Sequence, residues 1–520
     1  MAKKHPNIVF FGIDSCRATR MSLNGYHRQT TPHIDRMADD GVTFLNCLSP
    51  SIPTPPGYSS ILTGRDCFGT NTVTLRNVPE LPKGITLQEV LVANGYNATC
   101  VGFGDGAFTH GFTNYLQFSG WGPDKADGRS HKAENLNDVA IPEIKRLCKE
   151  DKPFFLFLRH MDPHAPYLPP HPFSRMFYDG DEFDPANKSL EGMYSFKPFC
   201  DFHSEWVPEG CTDARFVEAQ YDGAIAYMDS CIQAIFTTLK EYGLEDDTFI
   251  VLTSDHGETL AEHDCFFDHH GLYEPTLRIP LVFKFPGRIP EGYVMDEIVQ
   301  QKDVMPTMLD ILGIKTGLKF DGRSLAPLWE GGDFRSEPEV YITECTWMRK
   351  HGWRTPEWKL IVALEPDFHY KPKVELYNLV KDPLELTNVA QGEPEVVKYL
   401  TKRMEDHIAK KERQYKIKNP IYLCNDWNGS GHFFASSDEA YNTLHIGSAK
   451  AGQKLQAQAK AAPAAKPAPA AKAAPAAKPA PAAKPAPAAK PAPAAKAAPA
   501  AKPAPAAKPA PAAKPAPAAK

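Results

Sequence analysis

With 520 residues, 42% of them hydrophobic, the chain can bury a sizeable core, which excludes a protein disordered throughout. Its net charge is −5, yet the eleven lysines from Lys460 to Lys520 meet no acidic residue there; this leaves −16 on residues 1–459 and excludes a basic, nucleic-acid-binding body. Seventeen of the 49 prolines fall between Ala461 and Lys520, so composition divides the chain into an acidic body and a basic tail.

Met1-Ala-Lys-Lys-His-Pro6 runs directly into the apolar stretch Asn7 to Gly12, which is too short for a signal-peptide core and is soon closed by Asp14. No apolar run approaches the roughly 20 residues of a membrane helix. The eleven cysteines, an odd number without a Cys-x-x-Cys pair, read as reduced thiols. Together these features predict a soluble, cytoplasmic protein with no membrane span, and they carry no information on oligomeric state.

Short apolar runs ending in polar or glycine residues predict strands at Asn7 to Ile13, Ala98 to Val101, Phe154 to Arg159, Thr248 to Thr253 and Ile279 to Phe285. Between them, apolar residues recur at helical spacing over Thr86 to Asn94, Asp213 to Tyr242 and Lys302 to Leu312. This alternation predicts an α/β fold with a large, mainly parallel sheet flanked by helices and ligands at the carboxyl ends of its strands. After about residue 335, shorter segments at Glu339 to Glu344, Trp358 to Val362 and Val374 to Tyr377 predict a small antiparallel sheet, followed by a charged helix near Glu393 to Lys411. The expected organisation is a main domain over 1–335, a smaller subdomain over 336–448 and a disordered Ala/Pro/Lys-rich tail over 449–520. In the tail a lysine recurs every six residues, and prolines at that density block a helix. It reads either as a solubilising spacer or as a weak tether to polyanions.

Chemistry-bearing residues gather at the strand ends. Asp14 closes the first strand in Phe11-Gly-Ile-Asp-Ser15, a place that suits a turn, a helix cap or a metal ligand. Val251-Leu-Thr-Ser-Asp-His-Gly257 puts Asp255 and His256 after another strand, where a carboxylate and an imidazole can face a common metal. His263, His269 and His270 crowd the next loop, a density that suits a site needing both ligands and proton donors. Arg159-His-Met-Asp-Pro-His-Ala-Pro-Tyr167 follows a third strand, with prolines fixing the loop around His164, while His160 and Asp162 read equally well as loop hydrogen-bonders. In Ser51-Ile-Pro-Thr-Pro-Pro-Gly57, Thr54 is the expected N-cap of a helix whose unpaired N–H groups favour an anion.

Taken in order, these pieces resemble the sulfatase branch of the alkaline phosphatase superfamily from about Pro6 to Asn388. The resemblance rests on the segments around Asp14 and Ser254-Asp-His-Gly257, and on Thr31-Pro-His-Ile-Asp-Arg-Met-Ala38, Ile61-Leu-Thr-Gly-Arg65 and Tyr273-Glu-Pro-Thr-Leu-Arg-Ile-Pro280. Asp303-Val-Met-Pro-Thr-Met-Leu-Asp310, Asp321-Gly-Arg-Ser324 and Glu375-Leu-Tyr-Asn-Leu-Val-Lys-Asp-Pro383 extend it. It implies an alkaline-phosphatase-like sandwich and a metal-dependent hydrolase of a small anionic ester. In that family a Cys-x-Pro-x-Arg motif precedes Leu-Thr-Gly-Arg, and its Cys is oxidised to the nucleophile formylglycine. Counting back from Arg65 puts Thr54 in the Cys slot, Pro56 in the Pro slot and Tyr58 in the Arg slot. Threonine cannot become that aldehyde, so no formylglycine is expected; the competing Ser51-Ile-Pro53 lies three residues too far from the motif.

Other superfamily members set a Thr or Ser oxygen directly on phosphorus. The resemblance therefore implies Thr54 as nucleophile, with Asp14, Asp255, His256 and the Thr54 oxygen on a divalent ion: calcium, magnesium or manganese, with a two-zinc site as the lesser alternative. It also implies His164 as proton donor to the leaving group, and His270, or His269 by another count of the same loop, as a contact to the anion. Arg17 and Arg65 are the candidates to replace the missing motif arginine. The expected reaction is hydrolysis of a phosphate or phosphonate ester, ahead of a sulfate ester, through a phospho-threonine. Transfer to an alcohol and a silent binding protein with the tail as its arm are the rival readings.

Overall fold

A computed structural model describes residues 5–74, 84–103, 110–195, 200, 202–334, 336–346, 348–365 and 371–424. The expected tail, and the end of the expected subdomain from residue 425 onward, lie outside the described residues. In chain order the strands are β1 (Asn7–Ile13), β2 (Val42–Leu48), β3 (Ser51–Ile52), β4 (Asn97–Gly102), β5 (Asn114–Gln117), β6 (Phe154–His160) and β7 (Thr248–Ser254). They continue with β8 (Arg278–Lys284), β9 (Tyr293–Gln300), β10 (Val340–Cys345), β11 (Arg349–Arg354), β12 (Trp358–Ala363) and β13 (Val374–Asn378).

The central strands are apolar on both faces because both faces are covered. In β1, Ile8 and Phe10 enter the core on one side of the sheet while Val9, Phe11 and Ile13 enter the core on the other. In the same way β6 sends Phe155 and Phe157 to the first core and Phe154, Leu156 and Leu158 to the second. Helices Lys132–Leu147 and Ala214–Glu241 supply the second core; helices Thr54–Thr63, Leu87–Ala93 and Val304–Ile311 supply the first. This gives the expected helix-flanked sheet, in the order β5-β4-β6-β1-β7-β8-β2-β9. Strands β5, β4, β6, β1 and β7 run parallel, β8 runs against both β7 and β2, and β9 lies parallel to β2.

The smaller sheet has the order β13-β12-β11-β10-β3. Its first four strands form the expected antiparallel meander, but β3 joins parallel to β10, with Thr343 opposite Ser51 and Glu344 opposite Ile52. The residues just before Thr54 are thus fixed by the C-terminal sheet, and both sheets fall within one compact unit. Helix Pro394–Tyr415 covers one face of the small sheet through Leu400, Met404 and Ile408, spaced four apart and packed with Trp353, Leu360 and Leu376. No helix among the described residues is long and apolar enough to cross a membrane.

Candidate active site

Strands β6, β1 and β7 are neighbours, and Ile13 lies opposite His160 on one side and Ser254 on the other. The loops after all three strands therefore open at one sheet edge, where a ligand meets the carboxyl ends of a parallel sheet. Asp14 donates its backbone N–H to His160 O (3.0 Å), and Asp255 donates its own to Ile13 O (3.2 Å). Ser15 adopts a left-handed φ of 58°, and its N–H reaches Asp255 Oδ1 at 3.0 Å. Tyr221 holds this turn by donating its hydroxyl to Ser15 O (2.7 Å). Such strain in a non-glycine residue persists where the surroundings over-determine it.

Thr54 stands opposite these carboxylates, though not as the expected cap. Pro53 is the N-cap residue and Thr54 is the first residue of helix Thr54–Thr63, with no capping bond from either side chain. The reason is chemical: Pro55 and Pro56 carry no N–H, and Gly57 N–H is taken by Pro53 O (3.2 Å), so a threonine cap would have nothing to accept. The expected row of free N–H groups for an anion is missing for the same reason. The Thr54 hydroxyl instead lies 3.1 Å from His256 Nε2. His256 Nδ1 lies 2.8 Å from Gly257 O, which places the proton on Nδ1 and leaves the Nε2 lone pair toward Thr54. Burial pushes His256 down to about 3, so the ring is neutral.

The helix reaches this position because residue 57 is glycine. A Cβ there would stand 2.5 Å from Asp255 O and 3.1 Å from Asp255 Cβ. Gly57→Ala is expected to push the start of the helix away from Asp255 and to cost about 10²-fold in kcat/KM. Steady-state kinetics alongside a melting curve checks this, and unchanged kinetics would show that the close approach is dispensable.

Asp14, Asp255 and His256 each offer a donor atom, and the three atoms lie within 4.8 Å of one another. Asp255 Oδ2 is buried without a hydrogen bond, 3.5 Å from His256 Nε2. Burial, and next the charge of Asp14, push Asp255 up to about 8. For Asp14 burial also acts upward, but electrostatic attraction to the nearby His164 and Arg159 outweighs it and holds the carboxyl below its usual range. Two buried carboxylates and an imidazole facing one point, with an orphaned oxygen among them, fit a divalent cation.

Arg159 is a site residue that the sequence reading passed over. Its Nη2 lies 3.2 Å from Asp14 Oδ2, and its guanidinium sits over the Tyr58 ring at 5.2 Å. Tyr58, in the slot of the missing motif arginine, is a buried core residue against Phe157. The signal was available: an arginine just inside the carboxyl end of an otherwise apolar strand.

His164 follows β6, and its Nδ1 lies 2.7 Å from Ala165 O. Burial lowers its pKa, with Asp14 acting in the opposite direction. Buried Lys132 holds this loop, donating from Nζ to His164 O (2.6 Å) and Pro166 O (3.1 Å). The His269 ring lies 4.6 Å from His256 and 5.8 Å from His164, centroid to centroid. Burial opposes its charge, but the Asp268 carboxylate 2.9 Å from Nδ1 prevails and raises it to about 10. His270 is fully buried, 3.4 Å from the other Asp268 oxygen, and burial pushes it down to about 3. Of the two counts along this loop, the geometry brings His269 to His256 and His164 and leaves His270 behind it.

Three further expectations are corrected. His263 is stacked on Tyr273 at 3.7 Å, outside the cluster. Arg17 points away, with Nη1 2.8 Å from Glu262 Oε1 and 3.2 Å from Glu258 O, because that carboxylate offers it a local ion pair. Arg65 follows the far end of the ten-residue helix that Thr54 begins, about 15 Å along the helix axis.

Residues 6–314 match the Sulfatase family model, and residues 261–414 match the model for the C-terminal part of N-sulphoglucosamine sulphohydrolase. An arylsulfatase of Clostridium perfringens strain 13 is 26% identical over 482 residues, covering 80% of this chain and 97% of that protein. A multifunctional alkaline phosphatase superfamily protein of Trinickia caryophylli is 28% identical over 386 residues, 59% of this chain and 73% of its own. Among solved structures, the phosphonate monoester hydrolase of Agrobacterium radiobacter aligns with a TM-score of 0.62 at 22% identity, over 79% of this chain and 96% of that one.

Proposed function

The chain belongs to the sulfatase family and is a sulfatase-like ester hydrolase; from that premise we propose that it cleaves a small phosphate or phosphonate ester with the Thr54 oxygen as the attacking group. The observation that carries this reading is the Thr54 hydroxyl, free of any capping bond and 3.1 Å from His256 Nε2 beside the Asp14 and Asp255 carboxylates. Sulfatase hydrate chemistry needs an aldehyde that threonine cannot supply, whereas a hydroxyl oxygen attacks phosphorus directly. Asp14, Asp255, His256 and the Thr54 oxygen would hold the divalent cation. When bound, the cation would lower the pKa of the hydroxyl and stabilise charge that develops on the ester.

The chain's own groups do the rest. The Thr54 hydroxyl releases its proton to solvent as Oγ1 forms the new bond to phosphorus and the bond to the leaving-group oxygen breaks, and that oxygen takes a proton from the imidazolium form of His164. The Ala165 carbonyl fixes the ring with Nδ1–H bound and Nε2 free to exchange the proton. In the second half the neutral imidazole takes a proton from water, whose oxygen displaces Thr54 from phosphorus, and Thr54 Oγ1 regains a proton from solvent. His269, held as a cation by Asp268, and Arg159 balance the negative charge of the ester and the carboxylates.

The test is turnover of matched aryl esters (sulfate monoester, phosphate monoester, phosphate diester and phosphonate monoester) with calcium, magnesium, manganese or zinc. A phosphorus ester is expected to be the fastest. A sulfate ester turned over fastest would overturn this reading.

A further inference from the structure

Apart from the candidate active site, a cavity of about 450 Å³ is lined by helix Pro394–Tyr415, the small sheet and the turn Gln301–Asp303 that follows β9. That is the size of a small-molecule site. The helix contributes Arg403, His407, Lys410, Lys411 and Gln414, which recur at helical spacing and so share one stripe. Lys302 lines the same cavity; it is 8% exposed and makes no hydrogen bond or ion pair among the described residues. Its backbone is held in place, since Gln300 N–H donates to Asp303 Oδ2 (2.8 Å) and Gly322 packs so tightly that a Cβ there would stand 1.9 Å from Lys302 O.

The carboxylates around the cavity have other partners. Lys411 holds both Asp66 (2.5 Å) and Asp321 (2.7 Å), and Arg403 holds Glu339 (2.7 Å). Asp303 turns its oxygens to the N–H groups of Gln300 and Arg323, and Glu337 carries a largely exposed side chain 4.0 Å from Arg323. Lys410, on the exposed side of the stripe, likewise makes no hydrogen bond or ion pair among the described residues. Two positive charges are therefore left over. His407, stacked on Tyr341 at 5.8 Å, feels them: burial first, then the charges of Lys411, Lys302 and Lys410, push its imidazole down to about 3.

A buried ammonium without a partner is costly unless an anion compensates it. Two of them beside one cavity match a dianion, and lysine binds phosphate as a point charge. We propose that this cavity is a second, separate anion site, in which Lys302 and Lys410 hold a phosphate dianion, either free or carried by a small organic molecule. The assignment does not depend on the role given to Thr54. The cavity shares no residue with the candidate active site but backs onto it. Ser51 lines the cavity and opens the short strand that leads to Thr54. Gln301, between Gln300 and Lys302 of the cavity wall, donates from Nε2 to Ser254 O (2.9 Å) and Asp255 O (2.5 Å).

Equilibrium dialysis of the full chain against labelled inorganic phosphate, with chelator present to keep divalent metal from the candidate active site, tests the assignment. The wild type is expected to bind phosphate, Lys302→Met and Lys410→Met each to weaken binding about 10-fold or more, and Lys302→Arg to keep most of it. Lys410 is exposed, so its variant serves if Lys302→Met does not fold, as judged by circular dichroism. Labelled glycerol 3-phosphate is run in parallel with the same variants: binding tighter than that of phosphate identifies an organic phosphate as the ligand, and weaker binding the free ion. Wild-type affinity for both probes in Lys302→Met and Lys410→Met overturns the proposal, because the anion then sits elsewhere. A wild type that binds neither probe overturns it as well, and both results leave the reading of Thr54 standing.

Discussion

Thr54→Ala is expected to lower turnover of the best ester by a factor on the order of 10⁴ or more, while Thr54→Ser keeps most of it. The size follows from the role: without Oγ1 no covalent intermediate forms, and binding alone is a poor substitute. Stability is expected to change little, because the side chain makes no capping bond and the helix start is set by Pro53, Pro55 and Pro56. That separation makes the experiment decisive, since lost activity cannot be ascribed to a lost helix cap. Rapid quenching of the wild type with a phosphorus ester should leave a phosphoryl group on the peptide that contains Thr54. Wild-type turnover in Thr54→Ala would place the nucleophile elsewhere.

How much of this was legible in the sequence depended on whether neighbours along the chain are also neighbours in space. β1, β6 and β7 announce themselves because each is apolar on both faces, and a parallel sheet then brings their ends, with Asp14, His164 and Asp255, to one edge. β11 gives no such signal. Its sequence, Arg349-Lys-His-Gly-Trp-Arg354, looks like surface, yet five of its six residues are buried because partners from distant segments neutralise it: Glu375 lies 3.2 Å from Lys350, and Glu274 lies 3.2 Å from Arg354. β9 hides for the opposite reason, being an edge strand with Tyr293 and Val294 exposed. In the site, the choice between His269 and His270 hung on one residue of loop register, which spacing cannot resolve and the pairing of Thr259 with Asp268 does.

Lys359→Met in β12 carries the second large expected effect, a loss of about 3–5 kcal/mol of folding stability at neutral pH. Lys359 is fully buried, with Nζ 2.9 Å from Glu274 Oε1 and 2.6 Å from Glu385 Oε1, and Arg354 completes the cluster. Removing the lysine leaves two buried carboxylates with one guanidinium. Despite its burial, Glu274 is held far below the usual carboxylate range by Lys359 first and then Arg354. A depressed carboxylate contributes stability above its ordinary pKa of 4.5 and loses it as the pH falls, so the gap between variant and wild type should narrow in acid. Urea unfolding at neutral and acidic pH measures both. The same cluster supports the site: Glu385 accepts the Glu274 N–H (2.7 Å), and the chain just before Glu274 carries His269 and His270. Turnover of Lys359→Met should therefore fall together with its stability. A variant as stable as the wild type at neutral pH would show that Glu344, bound to Gly271 N–H, and Glu375, bound to the Tyr273 hydroxyl, hold that loop without it.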